Sequence, residues 1–393
     1  MPLAAEDGPI AVQGAGERSG SLPAGMDGRV DYDLHGIVGI RVLGGTPADV
    51  AAVDRQLGRL RAPLDRDPDI VVSFVEPEAA APGLRYLDLD DAAFDDDAFF
   101  ILQTRAGTQL KSRIDFGELG AGCRIVCESG VGSVPLLIAI VNLFALANDV
   151  VPVHASAFTY DGCGVMVTGW AKGGKTETLL AFMAQGATYV GDEWIYLARD
   201  GRRLYGIPEP IKVWDWHLPE LPRYAATLAR GQRARLRATS VSQRTADGLG
   251  RLGGPGSGLL ERVGMKLERQ RYVHLAPETL FGAEACALEG RLDKLVFVVS
   301  REGGDVAVEP IDAREVARRM AFSLQYERQR LFGSYLQFRF AFPDRSSALF
   351  EGAEAREREM LLERFDGTDA HVALHPFPPS IPRLFEAIRP LAS

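Results

Sequence analysis

The segment Gly169-Trp170-Ala171-Lys172-Gly173-Gly174-Lys175-Thr176 fits G-x-x-x-x-G-K-[ST], the Walker A pattern. It stands between a strand pattern, GVMVT, and a helical run, ETLLAFMAQG, which is the context the pattern requires. Glycines let successive backbone N–H groups turn inward around phosphate oxygens, and the following helix presents its positive dipole end. Gly169, Lys172, Gly173, Gly174, Lys175, Thr176 and Glu177 are therefore the candidate phosphate-binding residues. Lys175 would supply a point charge and Thr176 a hydroxyl for Mg²⁺. A chance match in a chain of this composition is expected only about 0.005 times. Lysine is otherwise scarce, with 6 Lys against 38 Arg, yet Lys172 and Lys175 both fall in this loop.

Two further features belong with the loop. In Ala187–Leu197, ATYVGDEWIYL, the carboxylates Asp192 and Glu193 interrupt an apolar β-pattern, which is costly unless they are paired or metal-bound. Asp192 is a candidate Mg²⁺ ligand together with Thr176, and Asp192 or Glu193 a candidate proton acceptor. Upstream, Asp161-Gly162 between two β-rich runs predicts a type I′ hairpin. Its register pairs Tyr160 with Cys163, Ser156 with Val167 and His154 with Gly169. That register makes His154 a further candidate, as a proton relay or phosphate donor.

Elements that must position these groups are legible around them. A flexible tail is expected over 1–30 and a small α+β domain over 31–130. The latter has strands in GIVGIRV, Ile70–Val75, Phe99–Leu102 and Cys123–Ser129, and a helix from Pro47 to Leu60 capped by Thr46. Asp88, Asp90, Asp91, Asp95, Asp96 and Asp97 read as a solvated acidic loop. The run Val134–Ala147 predicts a buried helix, too short to span a membrane. The domain carrying the loop is expected over 131–393, ending in a buried strand at Leu295–Val299, a helix from Ile311 to Tyr326 and a terminal helix from Arg383 to Leu391. His371 and His375 share one strand face without a third metal ligand. Lys212, Trp214 and Trp216 share another face, which reads either as an acceptor pocket or as sheet packing. From 223 to 271, 11 basic residues face 3 acidic ones around a Gly-rich stretch at 248–258, the pattern of a mobile lid or a linker.

Composition narrows the function classes. The chain has 393 residues, 46% hydrophobic and 25% charged, an ordinary globular mixture. A net charge of −9 argues against a nucleic-acid partner. No signal-peptide or membrane-span pattern is read, and four cysteines without a CxxC pair suit reduced thiols, so a cytoplasmic location is expected.

His154-Ala-Ser-Ala, the Walker A loop and Gly191-Asp192-Glu193 together resemble the HPr serine kinase/phosphorylase superfamily, whose P-loop core is related to that of phosphoenolpyruvate carboxykinase. The resemblance is clearest over 133–217. It implies an α/β fold with a P-loop core of this type and a mixed sheet, preceded by the small α+β domain. It also implies ATP and Mg²⁺ as cofactors, with transfer of phosphate to a hydroxyl of a peptide, protein or small metabolite. On the family pattern, Asp192 is the first carboxylate, Glu193 the second, which helps deprotonate the acceptor, and His154 the site histidine. Lys172 stands where the family has a mid-loop glycine, and Glu193 where it usually has aspartate. No counterpart of the C-terminal glycine-rich loop is present, so neither phosphorolysis nor an HPr partner is implied. The alternative reading is a nucleotide-binding sensor without phosphoryl transfer, and a homo-oligomer is compatible with either.

Overall fold

The computed structural model describes residues 28–58, 60–77, 83–105, 107–120, 122–233, 236 and 271–392. All but the end of the expected tail, and the expected lid from 237 to 270, lie outside the described residues. The fold is mixed α/β with mixed sheets. It divides into two compact units, and the division does not fall at residue 130: Tyr196–Gly201 and Ala317–Asp366 group with the chain up to His154.

In the first unit, eight strands form one sheet: β1 (Arg29–Leu34), β2 (Val38–Leu43), β3 (Ile70–Val75), β4 (Arg85–Asp88), β5 (Ala92–Phe94), β6 (Phe99–Arg105), β7 (Thr108–Ile114) and β8 (Cys123–Glu128). Their order is β1-β2-β3-β8-β7-β6-β5-β4, with β2, β3 and β8 parallel and the rest antiparallel. Thr46 caps α1 (Pro47–Leu57) in a capping box with Asp49, three residues shorter than expected because Gly58 takes a positive φ. Part of the acidic stretch forms the β4–β5 hairpin rather than a loop, and Arg85 pairs with Asp96 at 2.6 Å. The apolar run becomes α2 (Leu137–Ala147), whose side chains are almost all buried, in contact with α1 and β2. A helix apolar at every position but Asn142, which accepts from the Tyr196 hydroxyl at 2.8 Å, needs cover on most sides, and the later helix α8 (Ala348–Phe365) supplies another of them. The preceding helix, α7 (Gln329–Ala341), packs Tyr335 and Phe338 against Phe116, and Phe338 also lies edge-on to Phe99 at 6.0 Å. These rings, more than 200 residues apart in the chain, explain why the helices join this unit.

The second sheet has nine strands. They are β9 (Val151–Tyr160), β10 (Cys163–Gly169), β11 (Thr188–Gly191), β12 (Trp194–Leu197), β13 (Arg203–Gly206), β16 (Glu289–Arg291), β17 (Lys294–Arg301), β18 (Ala307–Pro310) and β19 (Asp369–Pro376). The order is β16-β13-β12-β9-β10-β17-β19-β18, with β11 also pairing β9. The unit boundary falls within β9 after His154 and within β12 after Ile195. β10, β17 and β19 run parallel, so their C-terminal ends share one edge. Asp161 and Gly162 take φ +48° and +82°, as a type I′ turn requires, and the ladder runs from Tyr160–Cys163 through Ser156–Val167 to Ala155–Thr168 in the expected register.

Helix α3 (Lys175–Met183) packs on the sheet through Leu179 and Phe182, which join Phe158, Val165, Val167, Val296 and Val298 in one core. The terminal helix α9 (Ile381–Ile388) lies against α3 and adds Leu384 and Ile388 to it. A separate two-stranded sheet, β14 (Ile211–Trp214) paired antiparallel with β15 (Tyr272–Leu275), adds Ile211, Val213, Val273 and Leu275 to this core. Close backbone approach fixes Gly164: a Cβ there would lie 1.8 Å from the Arg291 carbonyl oxygen. Gly164→Ala is therefore expected to cost about 3 kcal/mol. In urea unfolding the midpoint should fall with an unchanged m-value; an unchanged midpoint would show that the β10–Arg291 contact is loose.

Candidate functional site

The loop grows from the end of β10. Gly169 closes the strand at φ +156°, and a Cβ on it would meet the Val298 carbonyl oxygen at 2.5 Å. Gly173 N–H then donates to Trp170 O at 3.0 Å, curling the chain back on itself. Lys172 has φ +61°, so this lysine adopts the left-handed conformation that suits glycine, at roughly 1 kcal/mol. The loop keeps the backbone bend at the position where the resembled family has glycine. Gly174, at φ +105°, is the N-cap of α3, and no side chain caps the helix. A helix start of this kind suits an anion.

Lys175 is buried, and its ammonium donates to Trp170 O at 3.1 Å and Gly169 O at 3.4 Å. Ser156 of β9 donates to the Lys175 carbonyl at 3.0 Å, tying the helix start to the sheet. Thr176 Oγ1 donates to Asp192 Oδ2 at 3.0 Å. Those two oxygens sit side by side, and Mg²⁺, which keeps waters and takes substrate phosphate oxygens, suits such a pair. Among the described residues there is no group of three or more His, Cys, Asp or Glu that could hold a metal without such help.

Asp192 follows β11 directly and is 2% exposed. Burial, and then the neighbouring Glu193 charge, push its carboxyl up to about 7, against the pull of Thr176 and Lys175. Glu193 takes φ +68°, an uncommon conformation for glutamate, and its carbonyl accepts from Ala155 N–H at 3.1 Å. The bend that presents the two carboxyl groups is thus held by the sheet, not by the local sequence.

Glu177 turns to His217, whose Nε2 lies 3.1 Å from Glu177 Oε1. Because His217 Nδ1 accepts from Trp214 N–H at 3.3 Å, Nε2 carries the proton and donates to Glu177. Glu177 therefore anchors α3 to the β14–β15 sheet instead of facing the loop. His154 is placed in the first unit, buried, with Nδ1 3.1 Å from Glu327 Oε1. The structure brings Gly169, Lys172, Gly173, Gly174, Lys175, Thr176, Asp192 and Glu193 together in the second unit.

His375, weighed from the sequence only as a metal ligand, proves to brace the loop, a role the sequence reading missed. It is fully buried near the end of β19, and its Nε2 lies 2.7 Å from Gly173 O. Nδ1 faces Pro376 O at 2.9 Å, so the imidazole is clamped under the loop. The available signal was its place near the C-terminal end of a parallel strand, the edge where such sheets assemble their sites. Glu209, also missed, has a buried Oε2 with no hydrogen-bond partner among the described residues. Burial, with Glu193 and Asp192 as like-charged neighbours, raises its carboxyl well above the usual range. His274 is lowered to about 4 by burial and by Lys212, so it is neutral near pH 7. No significant match to the chain was found among protein-family models or curated protein sequences.

Proposed function

We propose that this protein is an ATP- and Mg²⁺-dependent phosphotransferase that phosphorylates a hydroxyl group, built on a P-loop core of the HPr kinase type. The observation that carries the reading is the pairing of Thr176 with Asp192 at the start of α3, directly after the glycine-rich loop. Loop amides and Lys175 would hold the phosphates; Mg²⁺ at Thr176 and Asp192 would neutralise charge on them. Lys175 would exchange its carbonyl partners for phosphate oxygens and stabilise the charge that moves to the leaving group. As the acceptor oxygen bonds to the γ-phosphorus, the bond from that phosphorus to the β–γ bridging oxygen breaks, and ADP leaves with the electron pair. The hydroxyl proton passes to the carboxylate of Glu193 or Asp192 and then to water. His154, paired with Glu327, is given no step.

The second reading, a nucleotide sensor, shares the loop but needs no proton acceptor. What favours transfer is Glu193, held beside Asp192 in a backbone conformation that costs free energy. The deciding experiment measures ATP consumption with Mg²⁺ and a bacterial cytosolic extract for wild type, Lys175→Ala and Glu193→Gln. Extract-dependent turnover should fall at least about a hundredfold in both variants, while Glu193→Gln keeps ATP binding. Unimpaired turnover in Glu193→Gln would remove its role as base. ATP binding without turnover in any extract would favour the sensor.

A further inference from the structure

Beside the Asp192–Glu193 bend lies a surface that the proposed phosphate chemistry does not use. The β14–β15 register pairs Lys212 with His274 and Trp214 with Tyr272, which puts these four on one half-exposed face. On the other face Ile211, Val213, Val273 and Leu275 are buried in the core. The Lys212 ammonium lies 4.5 Å from the Tyr272 ring centre and 5.8 Å from that of Trp214. No carboxylate among the described residues lies within ion-pair distance of it, whereas Arg271, just before β15, is paired with Asp215 at 3.1 Å.

Two attachments fix this face against the site. At one end, Trp214 N–H and the His217 imidazole connect the strand pair to Glu177, the residue after Thr176. At the other, Gly206 packs so tightly on Val190 and Gly191 that a Cβ would lie 1.8 Å from Val190 O and 2.9 Å from Gly191 Cα. Glu209, with its unpartnered buried Oε2, lies between Gly206 and Lys212 in the chain. The face is thus bounded by α3 and by the carboxylate bend, within one unit.

A lysine framed by aromatic rings, with no carboxylate among the described residues at ion-pair distance, suits an anionic group. Among the described residues this face offers one ammonium, and the Glu193 carboxyl is near enough to act on His274, so a monoanion suits it better than a phosphate. We propose that Lys212 anchors the phosphate acceptor and that this acceptor is a hydroxy acid, its carboxylate on Lys212 and its hydroxyl toward Glu193. The inference rests on the phosphotransferase reading. The carboxylate has two sources, a free hydroxy acid or the C-terminus of a peptide ending in serine.

Titration calorimetry on the full chain saturated with ADP and Mg²⁺ tests it. The probes are glycerate, threonate and N-acetylserine, each against an uncharged counterpart (glycerol, threitol, N-acetylserine amide), together with a short Ser-terminated peptide with free or amidated C-terminus. At least one carboxylate probe should bind with its counterpart at least about tenfold weaker, the size of one lost charged contact. Lys212→Met should weaken that probe by a similar factor, Lys212→Arg should restore most of it, and the ADP affinity should not move. Binding confined to the free-ended peptide would identify the peptide source. Failure of every carboxylate probe, or equal binding by Lys212→Met, overturns the inference while nucleotide binding stands. A loss of ADP affinity in Lys212→Met overturns it too, by placing the face in the nucleotide site. Absence of nucleotide binding in wild type would instead remove the underlying reading.

Discussion

Asp192→Asn is expected to make the ligand-free protein more stable at pH 8 and to abolish Mg²⁺-dependent turnover. In the folded chain burial and Glu193 raise the Asp192 carboxyl to about 7, from an ordinary value of 3.8. Between those values the folded state holds a proton that the unfolded chain has lost. Stability therefore falls as pH rises through this window, and above it the fold contains a buried charge. Asparagine removes that charge and still accepts the Thr176 hydroxyl, so the melting temperature at pH 8 should rise by about 3 °C or more, and at pH 5, nearer the bottom of the window, by well under half as much. Glu209 and Glu357 are raised in the same direction, Glu357 to about 7 despite its 2.5 Å contact with Arg328, so the variant retains part of the wild-type pH slope. Turnover should drop at least about a hundredfold at every magnesium concentration. Melting curves from pH 5 to 8 check the first part, and magnesium titration of turnover the second. A variant no more stable at pH 8 would mean that Asp192 is not held at a cost, and the case for it as a site carboxylate would weaken.

Gly174→Ala is expected to raise the Kd for ATP–Mg²⁺ about a hundredfold. The added Cβ would lie 2.5 Å from His375 Nε2 at a φ of +105°, so it meets both a steric and a backbone obstacle. The imidazole has nowhere to go, because its nitrogens face Gly173 O and Pro376 O and the ring is fully buried. The loop must shift instead, and amides displaced by even an ångström lose their aim at phosphate oxygens. Combining Gly174→Ala with His375→Ala should recover only part of the affinity, since the clash goes and the backbone strain stays. Titration of the nucleotide against the three proteins checks this. Wild-type affinity in the single variant would show that this stretch of backbone does not cradle the ligand.

Features whose causes lie within a few residues were legible before the fold was known. The β9–β10 register followed from Asp161-Gly162, because a two-residue turn with both φ positive sets every later pair. The α1 cap followed from Thr46 and Pro47, and the loop from its glycines and Lys175. The split of the chain into units was not legible. Helix α7 joins the first unit through Phe338 on Phe99 and Phe116, contacts that leave no periodic trace in either segment.

By itself, then, the sequence determined where a glycine-rich loop would join a strand to a helix and that Lys175, Thr176, Asp192 and Glu193 would lie on it or one strand further on, since each depends on short-range sterics and hydrogen bonding. Tertiary structure alone decided what braces them. His375 lies 202 residues from the Gly173 carbonyl it contacts, and His217 lies 40 residues from Glu177. Such pairs form only when strands align in a sheet or a strand pair docks on it, so their geometry is a property of the packed core, with no local signature to read.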